Sequence, residues 1–276
     1  MATLTVRDTG STWKTSFLRK LLGTTSADSG KLLMVDGSGD IAAGTPPNDM
    51  SRKRIALIAP GATTAPTVFG TAQTSVGTLS HPALAVTNNA TQTRRVVNTS
   101  SGTAGALAST RGTQAECCGT NGYTFIIRFT FETIPAIATF RAFFGLVDVI
   151  TAPTNVVPTT STTPGKIGVG CAANTGNLYI INCITGTTPT TYHLSSGDFT
   201  VQTQIVYELK LVCAVGGASV VWTMTNVTNG YYETGTLTTN IPAAATYLDY
   251  AMWTCNNTLA SASAFSIVRM YMEPNT

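Results

Sequence analysis

Residues 123–132 alternate between large apolar side chains and smaller or polar ones, and this period of two is the strongest constraint on the fold. The large apolar positions are Tyr123, Phe125, Ile127, Phe129 and Phe131. The positions between them are Thr124, Ile126, Arg128, Thr130 and Glu132. Successive side chains of a β-strand point to opposite faces, so this segment predicts a strand with one face in an apolar core.

Further short segments of the same kind follow one another along the chain, with turn residues between them. Strands are predicted at 55–59, 83–87, 94–99, 140–149, 166–172, 178–185, 204–214, 219–226, 231–238, 248–255 and 264–273. Asn174-Thr-Gly176, Gly216-Gly217 and Asn229-Gly230 predict tight turns, and residues 60–80 are expected to form a loop. With no helix between them, these strands predict an all-β fold, a two-layer antiparallel jelly-roll sandwich.

The composition favours a protein that assembles with other proteins. Charged residues make up 11% of the chain, against roughly 25% in an ordinary soluble domain, and there are about 50 threonines. Threonine is β-branched and suits strands, and its hydroxyl keeps an exposed face wet without charge. Surfaces of this kind can be desolvated against a partner at low cost. A secreted sandwich of unusual composition is the alternative.

The net charge of +3 is unevenly distributed. Residues 1–111 carry 11 Lys/Arg against 5 Asp/Glu, whereas residues 112–276 carry 5 against 8. The densest basic cluster is only Arg52-Lys53-Arg54, so a solvated loop or an acidic neighbour is favoured over nucleic acid as its partner. Arg94 and Arg95 alternate across a predicted strand, so one of them is expected to face inward and pair with a buried carboxylate.

The six cysteines, Cys117, Cys118, Cys171, Cys183, Cys213 and Cys255, contain no Cys-x-x-Cys pair, and the chain has only two histidines. The last four fall in predicted strands, where a reduced cysteine behaves as a small buried hydrophobe. No metal and no cofactor are expected, because neither zinc spacing nor an Asp-rich calcium loop is present. No apolar run of membrane-spanning length and no signal peptide at Met1 are found, so we expect no membrane insertion.

Residues 1–50 are predicted to form a separate N-terminal attachment or oligomerisation segment. Ser11 or Thr12 can cap a short helix that ends at Gly23. One stripe of this helix would carry Trp13, Phe17, Leu18, Leu21 and Leu22. The stripe can dock either on the chain's own sandwich or on a partner. A hairpin is predicted from residues 31–35 and 40–43, and a linker follows at residues 44–48. A β-rich connecting region is expected at residues 51–104, and the sandwich itself at residues 105–276.

A series of short phrases in a fixed order carries a family resemblance. Phe140-Arg-Ala-Phe-Phe-Gly-Leu is followed by Ala152-Pro-Thr-Asn-Val-Val-Pro158 and by Ile167-Gly-Val-Gly-Cys-Ala-Ala-Asn-Thr-Gly-Asn-Leu-Tyr179. Then come Gly197-Asp-Phe199, Tyr207-Glu-Leu-Lys-Leu211, Gly235-Thr-Leu-Thr-Thr-Asn-Ile-Pro242 and Trp253-Thr-Cys-Asn-Asn257. This series, over residues 55–273, resembles a concanavalin A-like β-sandwich domain of bacteriophage tail fibres and other virion proteins.

The resemblance implies a virion structural protein located in the particle, a tail-fibre or head-fibre subunit that binds a host receptor. Fibres of this kind imply a homo-oligomer, most simply a homotrimer, with residues 1–50 contacting other virion proteins and the sandwich facing a host surface glycan or protein. A capsid or decoration protein that stabilises the shell is the alternative. A carbohydrate-binding, lectin-like protein is the second alternative.

The acidic residues argue against an enzyme. A glycosidase needs two carboxylates close together, yet no two acidic residues of the predicted sandwich lie within four positions of each other. His81 and His193 are not accompanied by a Gly-x-Ser-x-Gly nucleophile elbow. We therefore expect no catalytic residues.

Sugar binding remains as a hypothesis, because it needs aromatic faces and amide groups near strand ends. The candidate binding residues are Tyr231, Tyr232, Trp253, Asn256 and Asn257. The alternative is that Trp253, like Trp222, is a core aromatic.

Overall fold

The protein is described here by a computed structural model. It describes residues 75–274, apart from 114, 116, 150 and 172–174, and the backbone of short strands at 32–35, 41–44, 54–56, 67–68, 71–72 and 74. The chain divides into two compact units, Met1–Lys53 and Arg54–Thr276. None of the helices in the described part is long and apolar enough to span a membrane.

In the first unit, strand β1 (Leu32–Val35) pairs with β2 (Ile41–Gly44) in an antiparallel hairpin. This confirms the hairpin expected around the Asp36-Gly-Ser-Gly39 turn. The expected helix lies outside the described residues, as do its five apolar side chains, so the attachment role of residues 1–50 stays a prediction.

The regular secondary structure in the described part of the second unit consists of β-strands, joined by turns and loops. In chain order they are β3 (Arg54–Ala56), β4 (Thr67–Val68), β5 (Thr71–Ala72), β6 (Thr74–Val76), β7 (Thr78–Ser80), β8 (Val96–Thr99), β9 (Leu107–Arg111), β10 (Cys117–Cys118), β11 (Tyr123–Thr133), β12 (Phe140–Val147), β13 (Lys166–Cys171), β14 (Leu178–Cys183), β15 (Thr190–His193), β16 (Val206–Cys213), β17 (Val220–Asn226), β18 (Tyr232–Leu237), β19 (Tyr247–Asn256) and β20 (Ala264–Pro274).

These strands form two antiparallel sheets that pack face to face. The first sheet has the order β15-β14-β13-β12-β19-β9-β6, with β10 also pairing with β19. The second sheet has the order β18-β17-β16-β11-β20-β8-β7, with β3 also pairing with β20. The expected all-β jelly-roll sandwich is therefore confirmed, and β4 and β5 form a small separate ribbon.

The core between the two sheets is aromatic. All five large apolar side chains that alternate along β11 are buried, as the period of two predicted. The rings of Phe129 on β11 and Phe144 on β12 stack at a centroid distance of 4.0 Å and an interplanar angle of 11°. Phe131 and Phe265 contact Phe144 edge-on, the other arrangement that aromatic pairs favour.

All six cysteines lie in the described part of the chain, and none forms a disulfide. Cys171, Cys183, Cys213 and Cys255 are buried in strands, as expected. Burial raises the pKa of the Cys171 thiol to about 12 and that of Cys255 to about 11, so both are inert, protonated side chains at neutral pH.

Two expectations about the region before residue 90 are wrong. Residues 83–87 form no strand, because the segment folds back on itself at a turn: Ala85 N–H donates to the Thr91 carbonyl, and Thr91 N–H donates to Asn88 Oδ1. The expected loop at 60–80 instead contains β4 to β7, whose Thr and Val residues suit strands.

Arg95 and Glu132 form a largely buried ion pair at the second sheet. Arg94 is exposed, whereas the side chain of Arg95 is 5% exposed and donates from Nε to Glu132 Oε1 at 2.6 Å. This confirms that one of the two adjacent arginines pairs with a carboxylate inside the fold.

We expect the Glu132→Ala variant to lose about 3 kcal/mol of unfolding free energy, because removing one partner of a buried ion pair leaves an uncompensated charge. Urea unfolding followed by tryptophan fluorescence measures the change. Arg94→Ala, at the exposed neighbouring position, is the control and should change stability by less than about 0.5 kcal/mol. The Arg95→Met/Glu132→Ala double variant should recover part of the loss; equal stability of the E132A and R94A variants would contradict the assignment.

Candidate functional site

The five candidate binding residues do not form one site, because they lie in different sheets. Tyr231 and Tyr232 lie in the hairpin that joins β17 to β18, at the edge of the second sheet. Trp253 and Asn256 lie on β19, which is an interior strand of the first sheet, and Asn257 follows directly. Their role in sugar binding stays a prediction. The period of two gives the face of each strand, but not which strands become neighbours.

Trp253 lies on the outer face of the first sheet and not between the sheets. It is directly opposite Phe143 of β12, one position away from the core-facing Phe144. Together with Phe143, Val147, Ala251 and Cys255 it forms a second, smaller apolar cluster, in which it is only 5% exposed. Both tryptophans named in the sequence analysis are thus buried, Trp222 in the main core and Trp253 in this outer cluster.

The loop between β12 and β13, residues 148–165, lies over this outer face and encloses a cavity of about 290 Å³ with it. The floor is aromatic and aliphatic, and the loop adds prolines and threonines. The lining residues are Phe143, Val147, Val149, Thr151, Ala152, Pro153, Thr154, Val156, Pro158, Thr163, Pro164, Lys166, Thr185, Ala251 and Trp253.

Two glycines make room for the aromatic floor. Gly145 of β12 and Gly168 of β13 face each other across the strand pair, and both lie on the outer face. A Cβ atom at either position would come to 3.0 Å from Cζ of Phe143, and within 2.4 Å of a backbone carbonyl oxygen of the neighbouring strand. The ring of Phe143 therefore lies over bare backbone, beside Trp253.

Asn155 ties one end of the loop to the sheet. Its Oδ1 accepts from Arg141 Nη1 at 2.8 Å and from Cys255 Sγ at 3.0 Å, while its Nδ2 donates to Asn257 Oδ1 at 2.8 Å. Arg141 also donates to the Asn155 carbonyl oxygen. Three contacts at the amide side chain and one at the backbone carbonyl of Asn155 fix the loop above Trp253.

Lys166 holds the other end of the 148–165 loop in place. It is 3% exposed, and its Nζ donates to the Ser161 carbonyl oxygen at 2.6 Å and to the Pro164 carbonyl oxygen at 3.4 Å. Desolvation by burial lowers the pKa of Lys166, although the nearby Cys183 and Asp148 act in the opposite direction. Lys166 is the one charged residue in the lining, so the cavity combines an apolar floor, four threonine side chains and a single ammonium group.

The two predicted asparagines serve the protein's own structure. Asn256 is buried, accepts a hydrogen bond from Thr139 Oγ1 and donates to the Ser261 carbonyl oxygen. Asn257 holds Asn155 and does not line the cavity. Both amides thus hold loops of the protein itself, and their role in binding a ligand stays a prediction.

The two tyrosines are on the surface. Tyr232 is 64% exposed and opposite Thr225 on β17. Tyr231 is partly covered by Phe199, at a ring-centroid distance of 5.8 Å. Tyr232 is thus the most accessible of the five candidate residues.

The sequence analysis missed Phe143, Lys166 and the loop that covers them. The phrase Ala152-Pro-Thr-Asn-Val-Val-Pro158 was noted only as part of a family resemblance. Its two prolines, which cannot continue a sheet, are the signal that a covering loop begins there. Within the described residues, no group of three His, Cys, Asp or Glu side chains is arranged to hold a metal ion.

No protein-family model matches the chain, and no curated protein sequence matches it. Solved structures with a similar shape include a protein of unknown function from Shewanella oneidensis MR-1, which is 18% identical with a TM-score of 0.47 over 74% of this chain and 80% of that chain. A carbohydrate esterase from the Shiga toxin-encoding bacteriophage phi24B is 13% identical, with a TM-score of 0.45 over 74% and 90%. Lectin II from Ulex europaeus is 10% identical, with a TM-score of 0.48 over 74% and 93%. At this level of similarity, function has to be argued from this chain's own residues.

We expect Asn155→Ala to release the loop while the sandwich stays folded, because the variant loses contacts to Arg141, Cys255 and Asn257 together. Hydrogen–deuterium exchange should become faster in residues 151–158 and stay unchanged in β11 and β16. Asn229→Ala, in an exposed turn away from the cavity, is the matched control. Unchanged exchange in the loop of the N155A variant would show that Asn155 does not anchor it.

Proposed function

We propose that this chain is a bacteriophage virion structural protein, a tail-fibre or head-fibre subunit, whose sandwich binds a carbohydrate group of the host surface. The observation that carries the binding part is the cavity over Trp253, which is built by a dedicated and doubly anchored loop. We place the terminal sugar of a host glycan in it.

The lining chemistry supports a sugar or a similar small ligand. Ligand pockets are concave and mostly apolar with a few placed polar groups, and this cavity combines Trp253 and Phe143 with threonine hydroxyls. The apolar face of a pyranose ring packs on an aromatic ring, while hydroxyl groups of the sugar bond to threonines. Thr151, Ala152 and Thr154 are exposed, so this part of the loop forms the entrance.

The composition supports assembly into a particle. Few charges and many threonines give surfaces that can be covered by neighbouring subunits at low desolvation cost. We propose a homo-oligomer, with a trimer as the simplest fibre, and assign attachment to other virion proteins to residues 1–50. Both assignments rest on the sequence and its resemblance to fibre proteins.

We propose a non-catalytic role. Each of the described carboxylates that would serve a hydrolase already has its own partner: Glu132 bonds to Arg95, Asp198 to Asn229, Glu208 to two arginines and Glu233 to the Ser195 amide. Asp148 accepts from Thr185 and Asp249 from the Tyr250 amide. This arrangement supports binding over acid–base chemistry.

A capsid or decoration protein is the second candidate. Large apolar side chains are exposed at Val86, Val215, Val221 and Tyr247, and a shell protein would cover such positions with neighbouring subunits. This role needs no ligand in the cavity, so the two candidates differ in an experiment on binding.

Closing the entrance tests the binding proposal. The Ala152→Trp variant adds a bulky ring at an exposed position of the cavity mouth, so it should abolish binding of the purified full chain to an array of neutral bacterial surface glycans. Thr160→Trp adds the same ring at an exposed position of the same loop that does not line the cavity, and it should bind like the unchanged protein. Binding that survives in the A152W variant, or no glycan binding by the unchanged protein, would favour the shell role.

The virion assignment has its own test. An antibody raised against residues 105–276 should label purified phage particles in immunogold electron microscopy, at the ends of fibres for the fibre role and over the shell for the decoration role. Particles of the producing phage that carry no label would overturn the assignment, whatever the glycan array shows.

A further inference from the structure

The outer face of the second sheet carries a row of side chains that crosses five neighbouring strands. Register pairs place them side by side from β18 through β17, β16 and β11 to β20. In that order the row consists of Tyr232, Thr225, Glu208, Arg128 and Arg269. All five are partly or fully exposed, while the positions on either side of each along its strand are mostly buried in the core.

The charges in this row are unbalanced. Arg128 and Arg269 lie directly opposite each other, and both contact the same oxygen, Glu208 Oε2, at 2.9 and 2.5 Å. Like charges opposite each other in a sheet are destabilising, and one carboxylate compensates only one of the two guanidinium groups. A guanidinium has five N–H donors, so both arginines keep donor capacity beyond the bonds to Glu208.

The next row adds a third positive charge. Lys210 on β16 is exposed, lies two residues from Glu208 and forms no ion pair with any residue in the described part of the chain. Its neighbours Thr223 and Thr234 share a hydroxyl–hydroxyl contact at 3.3 Å. Glu273, which lies opposite Thr124 outside these two rows, accepts a hydrogen bond from the hydroxyl of Tyr271. Across these two rows the face carries three positive charges against one negative charge, among threonine hydroxyls.

We propose that this face binds a linear acidic polysaccharide that runs across the strands. Neighbouring strands are about 4.8 Å apart, which is close to the length of one sugar unit, so successive sugars would lie over successive strands. Carboxylates of the polysaccharide bond to Arg269, Arg128 and Lys210, where planar bidentate contacts are available at the two arginines. One sugar ring stacks on Tyr232 at the edge of the sheet, and threonine hydroxyls bond to sugar hydroxyls.

This inference goes beyond the proposed function and does not depend on it. The row lies on the second sheet, whereas the cavity lies on the outer face of the first, so the two sites use no common residue. A fibre with both would hold a charged capsule or cell-wall polymer along the sheet and a terminal sugar in the cavity.

The test measures binding of the full chain to polygalacturonate, polysialic acid and hyaluronan by isothermal titration calorimetry, with a neutral malto-oligosaccharide and single-stranded DNA as comparisons. We expect one of the acidic polysaccharides to bind and the neutral one not to bind. Arg269→Gln and Lys210→Gln, both at exposed positions, should each weaken the binding by about tenfold or more, because each removes hydrogen bonds to a charged group. Tyr232→Ala should weaken it as well.

Matched controls separate this face from general charge and from the cavity. Arg94→Gln removes an exposed arginine from another part of the surface, and Tyr247→Ala removes an exposed tyrosine from the first sheet. Neither should change binding, and A152W at the cavity mouth should leave it intact.

Each of these measurements has a result that would contradict the proposal. Binding to none of the three acidic polysaccharides overturns the proposal, as does equal weakening by R94Q and R269Q. Tighter binding of single-stranded DNA would make the face a nucleic-acid site. A change of mass in light scattering on R269Q, without any polysaccharide binding by the unchanged protein, would make it a contact between copies of this chain.

Discussion

The stacked rings of Phe129 and Phe144 join the two sheets at the centre of the sandwich, and the positions of the other elements follow from this contact. Strands β11 and β12 are neighbours along the chain, yet they belong to different sheets, so the chain crosses the core between them. The chain then builds each sheet outward by hairpins, from β12 to β15 in one and from β16 to β18 in the other. Aromatic pairs add a preferred geometry to the burial of their surface, which fixes how the sheets align.

The packing of the two sheets also determines which side chains are left on the outer faces for function. With every second side chain of the central strands committed to the core, the alternate positions form the two outer faces. The two faces differ in character: the first sheet carries Phe143 and Trp253 under a loop, and the second carries the partly exposed ion pair of Arg128 and Glu208. The same alternation of side chains along the strands therefore gives the first sheet an apolar, covered outer face and the second sheet a polar, exposed outer face.

The sequence predicted the inner faces well, because burial of alternate side chains along a strand is a local property. The strands from β11 to β20 were predicted within a few residues, except for β15, whose four residues are all exposed and give no alternation. Before them, β9 and the two-residue β10 were not predicted. The candidate site was predicted less well. Tyr232 and Trp253 belong to different sheets, and the neighbours of each are set by pairing between strands far apart in the chain. No local pattern contains that information.

The same reasoning explains why the sequence analysis missed the roles of two glycines on the first sheet and of the charged residues on the second. Gly145 and Gly168 lie inside two predicted strands and give no signal of their own, but across the strand pair they leave the space that the ring of Phe143 occupies. Glu208 and Arg128 read as isolated charges, but register places them in contact.

The main core of this chain is built from apolar side chains, and with only 11% charged residues the chain forms few ion pairs in its described part. Where such a chain still sets two arginines opposite each other, a single carboxylate offsets only part of their repulsion. An unbalanced group of charges on an otherwise threonine-rich face is therefore more informative here than it would be on an ordinary, highly charged surface. Two arginines on one carboxylate, with Lys210 two residues along the same strand, are the arrangement on which the proposed negatively charged partner rests.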